Sequence, residues 1–224
     1  MMATAKRTLA PRAVVLATAA AVALTASPGA ATAFADHDAT TPHSSVQLSP
    51  NERHLDDTTK DRAQAKAAKI SQSEAADKAL KAVPGTATSA ELDNADRNGS
   101  LIWEVNVLGK NHKNYEVTID AGNGKVLNKH VDRDDDAAQD AAETQDLVKT
   151  DKTGHDKAID KALNAVPGTV TSYSLDDNDR NGSTVCGIDV LGKDHKSHDV
   201  TINAASGKVL NQHVDQDDQD DSNN

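Results

Sequence analysis

The sequence is short of the residues that build large cores. Its aromatics are Phe34, Trp103, Tyr115 and Tyr173 alone, and hydrophobic residues make up 37% of 224. Globular domains usually carry roughly 45–50%, so the chain can fill one or two small cores but not one core along its whole length. One cysteine, Cys186, excludes an intramolecular disulfide and a multi-cysteine zinc site. Positive charge is scarce as well. Lys and Arg number 24 against 35 Asp and Glu, a net charge of -11, so no nucleic-acid partner is expected, because phosphate binding needs a basic surface. No G-x-S-x-G, His-Glu-x-x-His, P-loop or Rossmann glycine pattern occurs, and the chain therefore reads as a non-enzyme without a cofactor.

The one long apolar run, Ala13 to Ala26, falls short of the roughly 20 residues that span a bilayer. Lys6, Arg7 and Arg12 precede it, and Ala33-Phe34-Ala35 follows as an A-x-A cleavage pattern. Residues 1–35 thus read as a secretory signal peptide cleaved after Ala35, giving a secreted or cell-envelope protein with no stable membrane insertion. Losing those three positive charges takes the mature net charge from -11 to about -14.

What the sequence does have is an internal repeat. Ala79-Leu80-Lys81-Ala82-Val83-Pro84-Gly85-Thr86 returns as Ala162-Leu163-Asn164-Ala165-Val166-Pro167-Gly168-Thr169. Asp96-Arg97-Asn98-Gly99-Ser100 returns as Asp179 to Ser183, and Gly124-Lys125-Val126-Leu127-Asn128 as Gly207 to Asn211. About 34 of about 54 aligned positions are identical without a gap, too long a period for a solenoid and the mark of a duplicated small domain.

Each copy predicts one helix followed by a small sheet. In the first, Ala75, Ala76, Ala79, Leu80 and Val83 recur at spacings of three and four over Ser71 to Val83, with Ser71 and Glu74 at capping-box spacing. Pro84-Gly85 ends the helix. Extended segments follow at Thr86 to Leu92, Ser100 to Leu108 and Asn114 to Ala121, with Lys125 to Val131 as a short strand or fraying end. Leu101, Trp103, Val105 and Val107 share one face, as do Tyr115, Val117 and Ile119. Short Gly-containing connections make the neighbours antiparallel. The expected fold is α+β: two tandem small domains, each one helix on an antiparallel sheet of three to four strands in a cystatin-like layout. The expected divisions are residues 36–66 as a disordered polar segment, 67–132 as copy one, 133–149 as an acidic linker, 150–215 as copy two and 216–224 as an acidic tail. Trp103 and Tyr115 give copy one more aromatic surface than Cys186 and His198 give copy two, so two separately folding units of unequal stability are expected, with Tyr173 compensating in part.

The helix ending Ala-Leu-x-Ala-Val-Pro-Gly, then an Asn-Gly hairpin, then Trp103-Glu104-Val105-Asn106-Val107 and Tyr115-Glu116-Val117-Thr118-Ile119-Asp120-Ala121-Gly122-Asn123-Gly124-Lys125-Val126-Leu127 resemble the PepSY domain family, in a free-standing form with two tandem copies. Copy two departs from that pattern at Cys186 for Trp103, His198 for Tyr115 and Asn203 for Asp120. The resemblance implies a non-catalytic module that binds, and modulates or inhibits, a secreted peptidase.

Candidate sites are few. Asn94 to Gly99 and Asp177 to Gly182 fit the first half of a calcium loop, with Asp96, Asn98, Asp177, Asp179 and Asn181 as candidate ligands. The twelfth position, which should be a bidentate Glu, is Val105 or Ile188, and the same residues also make Asn-Gly hairpin turns. Cys186 occupies a core-facing strand position, where a thiol is buried and inert. The histidines fall at loops and ends without metal-site spacing, and the Asp runs at 132–136 and 215–221 support an alternative function, an acidic envelope protein that binds or buffers divalent cations.

Overall fold

The computed structural model describes residues 43–55, 57–94, 99–133, 135–178 and 182–214. The signal-peptide reading of residues 1–35 and the acidic tail lie outside them.

The main helix of each copy forms where the periodicity places it. Helix α2 (Gln72–Ala82) follows helix α1 (Asp57–Ala67) and starts at Ser71, whose hydroxyl accepts from the Glu74 N–H while Glu74 accepts from the Ser71 N–H. This reciprocal bonding satisfies two donors that the first turn would leave open. Ala75, Ala76 and Ala79 bury one face, and Val83 turns into extended backbone ahead of Pro84. Four strands follow: β1 (Gly85–Asn94), β2 (Leu101–Gly109), β3 (Asn114–Asp120) and β4 (Val126–Val131). A Cβ on Gly85 would collide with the Leu108 carbonyl oxygen, which is why the helix must exit through glycine. Helix α3 (Ala137–Thr150) joins the copies, and the second copy repeats the plan as α4 (His155–Ala165), β5 (Gly168–Asp177), β6 (Thr184–Gly192), β7 (Ser197–Asn203) and β8 (Val209–Val214). The fold is thus α+β with four antiparallel strands per copy, as the sequence implies.

The two small sheets are one sheet. The order is β4-β3-β2-β1-β5-β6-β7-β8, every neighbour antiparallel. The seam pairs Ala90 with Tyr173, Ser89 with Ser174 and Glu91 with Ser172. Ala90 and Tyr173 are equivalent residues of the two copies, so the seam runs through a pseudo-twofold axis. The equivalent pair Gln72 and His155 also meets, with His155 Nε2 2.9 Å from the Gln72 amide nitrogen and 3.0 Å from its oxygen. Helix α1 contacts β1 and, across the seam, β5 and β6; helix α3 contacts β5 and, across the seam, β1, β2 and β3. Expecting separately folding units missed this joint, because β1 and β5 are Thr- and Ser-rich and carry no apolar signal of an interface.

The core of each copy lies between its helix and the inward sheet face. Leu101, Trp103, Val105, Val107, Val117 and Ile119 fill the first with Ala75, Ala76 and Ala79. Tyr173, Cys186, Ile188, Val190, Val200 and Ile202 fill the second with Ala158, Ile159 and Ala162.

Two segments correct the sequence reading. The polar segment expected to be disordered is ordered from residue 43. Leu48 is buried, the Leu48 N–H donates to the Gly99 carbonyl and the Leu101 N–H to the Val46 carbonyl. Asp120 fixes it further, and residues 57–67 are helical. Low hydrophobicity hid a strap that is held by hydrogen bonds instead of by an apolar stripe. The acidic linker, read as a solvated spacer, is helical over Ala137–Thr150, with Ala141 buried and Leu147 and Val148 packed on the second core.

Candidate functional site

Of the residues singled out as calcium ligands, only Asp177 lies among the described residues. Asp96, Asn98, Asp179 and Asn181 lie outside the described residues. Asp177 sits at the end of β5, exposed and paired with Thr184. Among the described residues no three His, Cys, Asp or Glu side chains are grouped to hold a metal ion. The histidines of the two half-sheets take local roles among the described residues. His112 and His195 occupy left-handed positions (φ 60° and 64°) in the β2–β3 and β6–β7 turns, a conformation in which His is enriched. His130 and His213 lie on β4 and β8. His155 and Tyr173 pack in a T-shaped arrangement, with ring centroids 4.8 Å apart. Cys186 is fully buried, and burial together with Asp151 pushes its thiol up to about 11, the opposite of an activated nucleophile.

Three surfaces remain. The first is the outward sheet face, where the register aligns Glu91 with Glu104, Glu104 with Thr118, and Glu116 with Asn106. Like charges on facing strands are unfavourable. Burial pushes the Glu104 carboxyl up to about 7, and Glu116, Asp93 and Glu91 add to it. Glu91 is raised by burial and by Asp93.

The second is the Asp120 clamp. Its carboxylate accepts from the Ser44 and Ser45 hydroxyls (2.8 and 2.9 Å), the Ser45 and Gly122 N–H groups (2.8 and 2.7 Å) and the Asn123 amide (2.7 Å). Burial opposes the charge, but the Ser45 and Gly122 N–H groups and both hydroxyls outweigh it and hold the carboxyl below its ordinary range. The sequence pattern marked Asp120 only through the departure at Asn203; the strap that explains it carried no signal. Among the described residues copy two has no equivalent strap, because the chain 83 residues after Ser44 and Ser45 is already committed to β4. Asn203 there accepts from the Ser206 N–H and hydroxyl instead.

The third surface is the pair of outer edges. β4 and β8 end the sheet, each paired on one side only. Val126 is 37% and Leu210 46% exposed, and the only other large hydrophobic side chain so exposed among the described residues is Leu55. The strands β1 and β5, which would be free edges in an isolated copy, are occupied by each other.

This repeated helix-on-sheet unit is a propeptide-type module. Residues 69–130 and 154–213 each match the family described as peptidase propeptide and YPEB domain, and the chain belongs to that PepSY family. No curated protein matches the sequence. A solved structure of a candidate lipoprotein from Clostridium difficile 630 is similar at 21% identity and a TM-score of 0.41, covering 66% of this chain and 95% of that one. No helix among the described residues is long and apolar enough to cross a membrane.

Proposed function

We propose that this chain is an exported, non-catalytic binding module that modulates an extracellular peptidase. The observation that carries the reading is the pair of PepSY regions, 69–130 and 154–213, in a chain whose one thiol is buried. The outer edges and the polar outward face supply recognition surface, by strand addition or by docking. Binding is non-covalent, so inhibition reverses on dilution and is unaffected by treating the native chain with iodoacetamide, which the buried Cys186 resists. The test is a titration of the purified full chain against peptidases co-secreted by the source cell, read as loss of peptide hydrolysis. Saturable, dilution-reversible inhibition supports the reading. No effect on any co-secreted peptidase, together with saturable calcium binding in calorimetry, favours the cation-binding alternative.

A further inference from the structure

We propose that the cavity between α3 and the β1–β2 corner binds the C-terminal end of an extended peptide, holding its terminal carboxylate and an aliphatic last side chain.

The cavity exists because the two copies share one sheet. Helix α3 contacts β5 of the second copy and crosses the seam to β1, β2 and β3, and it leaves a cavity of about 270 Å³ against the first copy. Ligand pockets span roughly 300–1,000 Å³, so this one has room for a single residue and not for a large cofactor. Its floor is apolar, formed by the buried Leu108 and by Val148, which is anchored on the second core. Gly85, Thr86 and Gln145 flank the floor. The rim carries Lys110, His112 and Lys149, and among the described residues no Asp or Glu lines it. In a chain of net charge -11 that is a local reversal of sign. The adjoining cavity, which shares Gly85 and Thr86, is lined by Asp77 and Asp156 and would repel a carboxylate.

The cationic residues are placed in advance. The Gly109 N–H donates to the Lys113 carbonyl, the Lys110 N–H to the Pro84 carbonyl and the His112 N–H to the Gly109 carbonyl. These bonds close the β2–β3 turn and fix the Lys110 and His112 backbones beside the cavity. Lys149 Nζ lies 2.8 Å from Asp146 Oδ1, with both side chains mostly exposed. Exposed pairs of this kind are weak, so an incoming carboxylate replaces Asp146 at little cost. Helices α1 and α3 are equivalent at an offset of 83 residues. Of the eleven positions of α1 only Asp57 with Asp140 and Lys66 with Lys149 agree, so the lysine is kept where the helix has otherwise drifted. α1 crosses the seam to β5 and β6, the strands that lead to Lys193 and His195. At that second corner Ala65 stands for Val148 and Glu52 attracts Lys66, which makes the first corner the better match.

This chemistry selects the occupant. Cations above an apolar floor suit an amphipathic carboxylate, and the Thr86 hydroxyl and Gln145 amide suit the peptide groups that precede it. Capture of a C-terminal carboxylate is a recurring recognition mode. A fatty acid needs apolar wall along its whole chain, and only Leu108 and Val148 are large and apolar among the lining residues. The inference goes beyond the peptidase reading and does not rest on it.

The test is a titration of the isotope-labelled full chain with acetyl-Ala-Ala-Ala-Leu bearing a free C-terminal carboxylate, followed by amide chemical shifts. Saturable shifts over residues 108–112 and 145–149 are expected. The C-terminal amide of the same peptide should bind about tenfold more weakly, through loss of a charge-assisted hydrogen bond. Acetyl-Ala-Ala-Ala-Gly should also bind more weakly, because it leaves the floor uncovered. Lys110→Ala with Lys149→Ala should lose at least as much affinity as the peptide amide does, with Trp103 emission reporting the intact core. The comparison of acid with amide needs no variant. Equal binding of acid and amide, shifts confined to other parts of the chain, tighter binding of decanoate than of the peptide, equal displacement by inorganic phosphate, or no saturable shift overturns the proposal.

Discussion

Replacing Tyr173 with Ala tests whether the two copies fold as one unit. Tyr173 is 1% exposed and is the largest side chain of the second core. It faces Ala90 across the seam and packs its ring on His155, which in turn bonds Gln72 of the first copy. Its hydroxyl is buried without a hydrogen bond of ordinary geometry, beside the Cys186 thiol, so truncation breaks no strong polar contact and the loss is mainly packing. Large-to-small aromatic changes in cores cost about 3–5 kcal/mol, against a total of about 5–15 kcal/mol for a native protein. At about 2–4 °C per kcal/mol for a chain of this size, the midpoint should fall by roughly 6–20 °C. The single tryptophan, Trp103, sits in the first core, whereas the substitution is in the second. Thermal unfolding followed by Trp103 emission and by far-UV circular dichroism should therefore shift together in one transition. An unchanged Trp103 midpoint, with circular dichroism splitting into two steps, would refute coupling through the seam and restore two independent domains.

Other consequences are as direct. Asp120→Asn removes the charged acceptor of the strap and should cost about 2–3 kcal/mol, as hydrogen bonds to a buried charge are lost; amide exchange over residues 43–49 should accelerate while that of β6 does not. Because the Asp120 carboxyl is held below its ordinary range, its contribution is fully present above about pH 4 and is lost as pH falls through the lowered folded value; a pH series of urea midpoints should show that loss in the native chain and not in Asp120→Asn. Glu104 has the opposite sign. Its folded carboxyl is raised to about 7, so native protein binds more protons than unfolded between about pH 4.5 and 7 and loses stability as pH rises through that window. Glu104→Gln should accordingly raise the melting temperature at pH 8 by about 2–4 °C, for about 1 kcal/mol after solvent screening, and leave it unchanged at pH 4. Cys186, buried and raised to about 11, should resist iodoacetamide at pH 8 in native protein and react at once in denaturant; rapid native labelling would contradict its placement.

The helix and strands of each copy were legible because each follows a simple period. Ala75, Ala76 and Ala79 mark a helical face, Trp103, Val105 and Val107 a strand face, and Ser71 with Glu74 a start. Even the uncertain last strand, β4, forms. The seam was not legible. It rests on Ser89, Ala90 and Glu91 against Ser172, Tyr173 and Ser174, residues whose partners are backbone groups that any sequence carries. The strap escaped for the same reason: Ser44, Ser45 and Gln47 act through hydrogen bonds and one bridge to Ser100, and composition counts them only as polar. Helix α3 was masked by its acidic neighbours, although Leu147 and Val148 were present as its anchors.

The departures of copy two from the family pattern take a different meaning once neighbours are considered. Cys186 stands where Trp103 stands in copy one, but Tyr173 stands where Ala90 does. Each core thus holds one large and one small residue of this pair, with the large one moved from β2 to the seam strand. His198 replaces Tyr115, and its Nε2 lies 3.0 Å from Asp194 Oδ2, where copy one sets the Tyr115 hydroxyl 2.8 Å from Asn111; that bond to His198 lowers the Asp194 carboxyl. Asn203 replaces Asp120 and accepts from Ser206 instead of from a strap, none being present there among the described residues. Three signature changes therefore occur with three compensating contacts, and none points to a second copy released from function. The copies differ where each must fit its own neighbours.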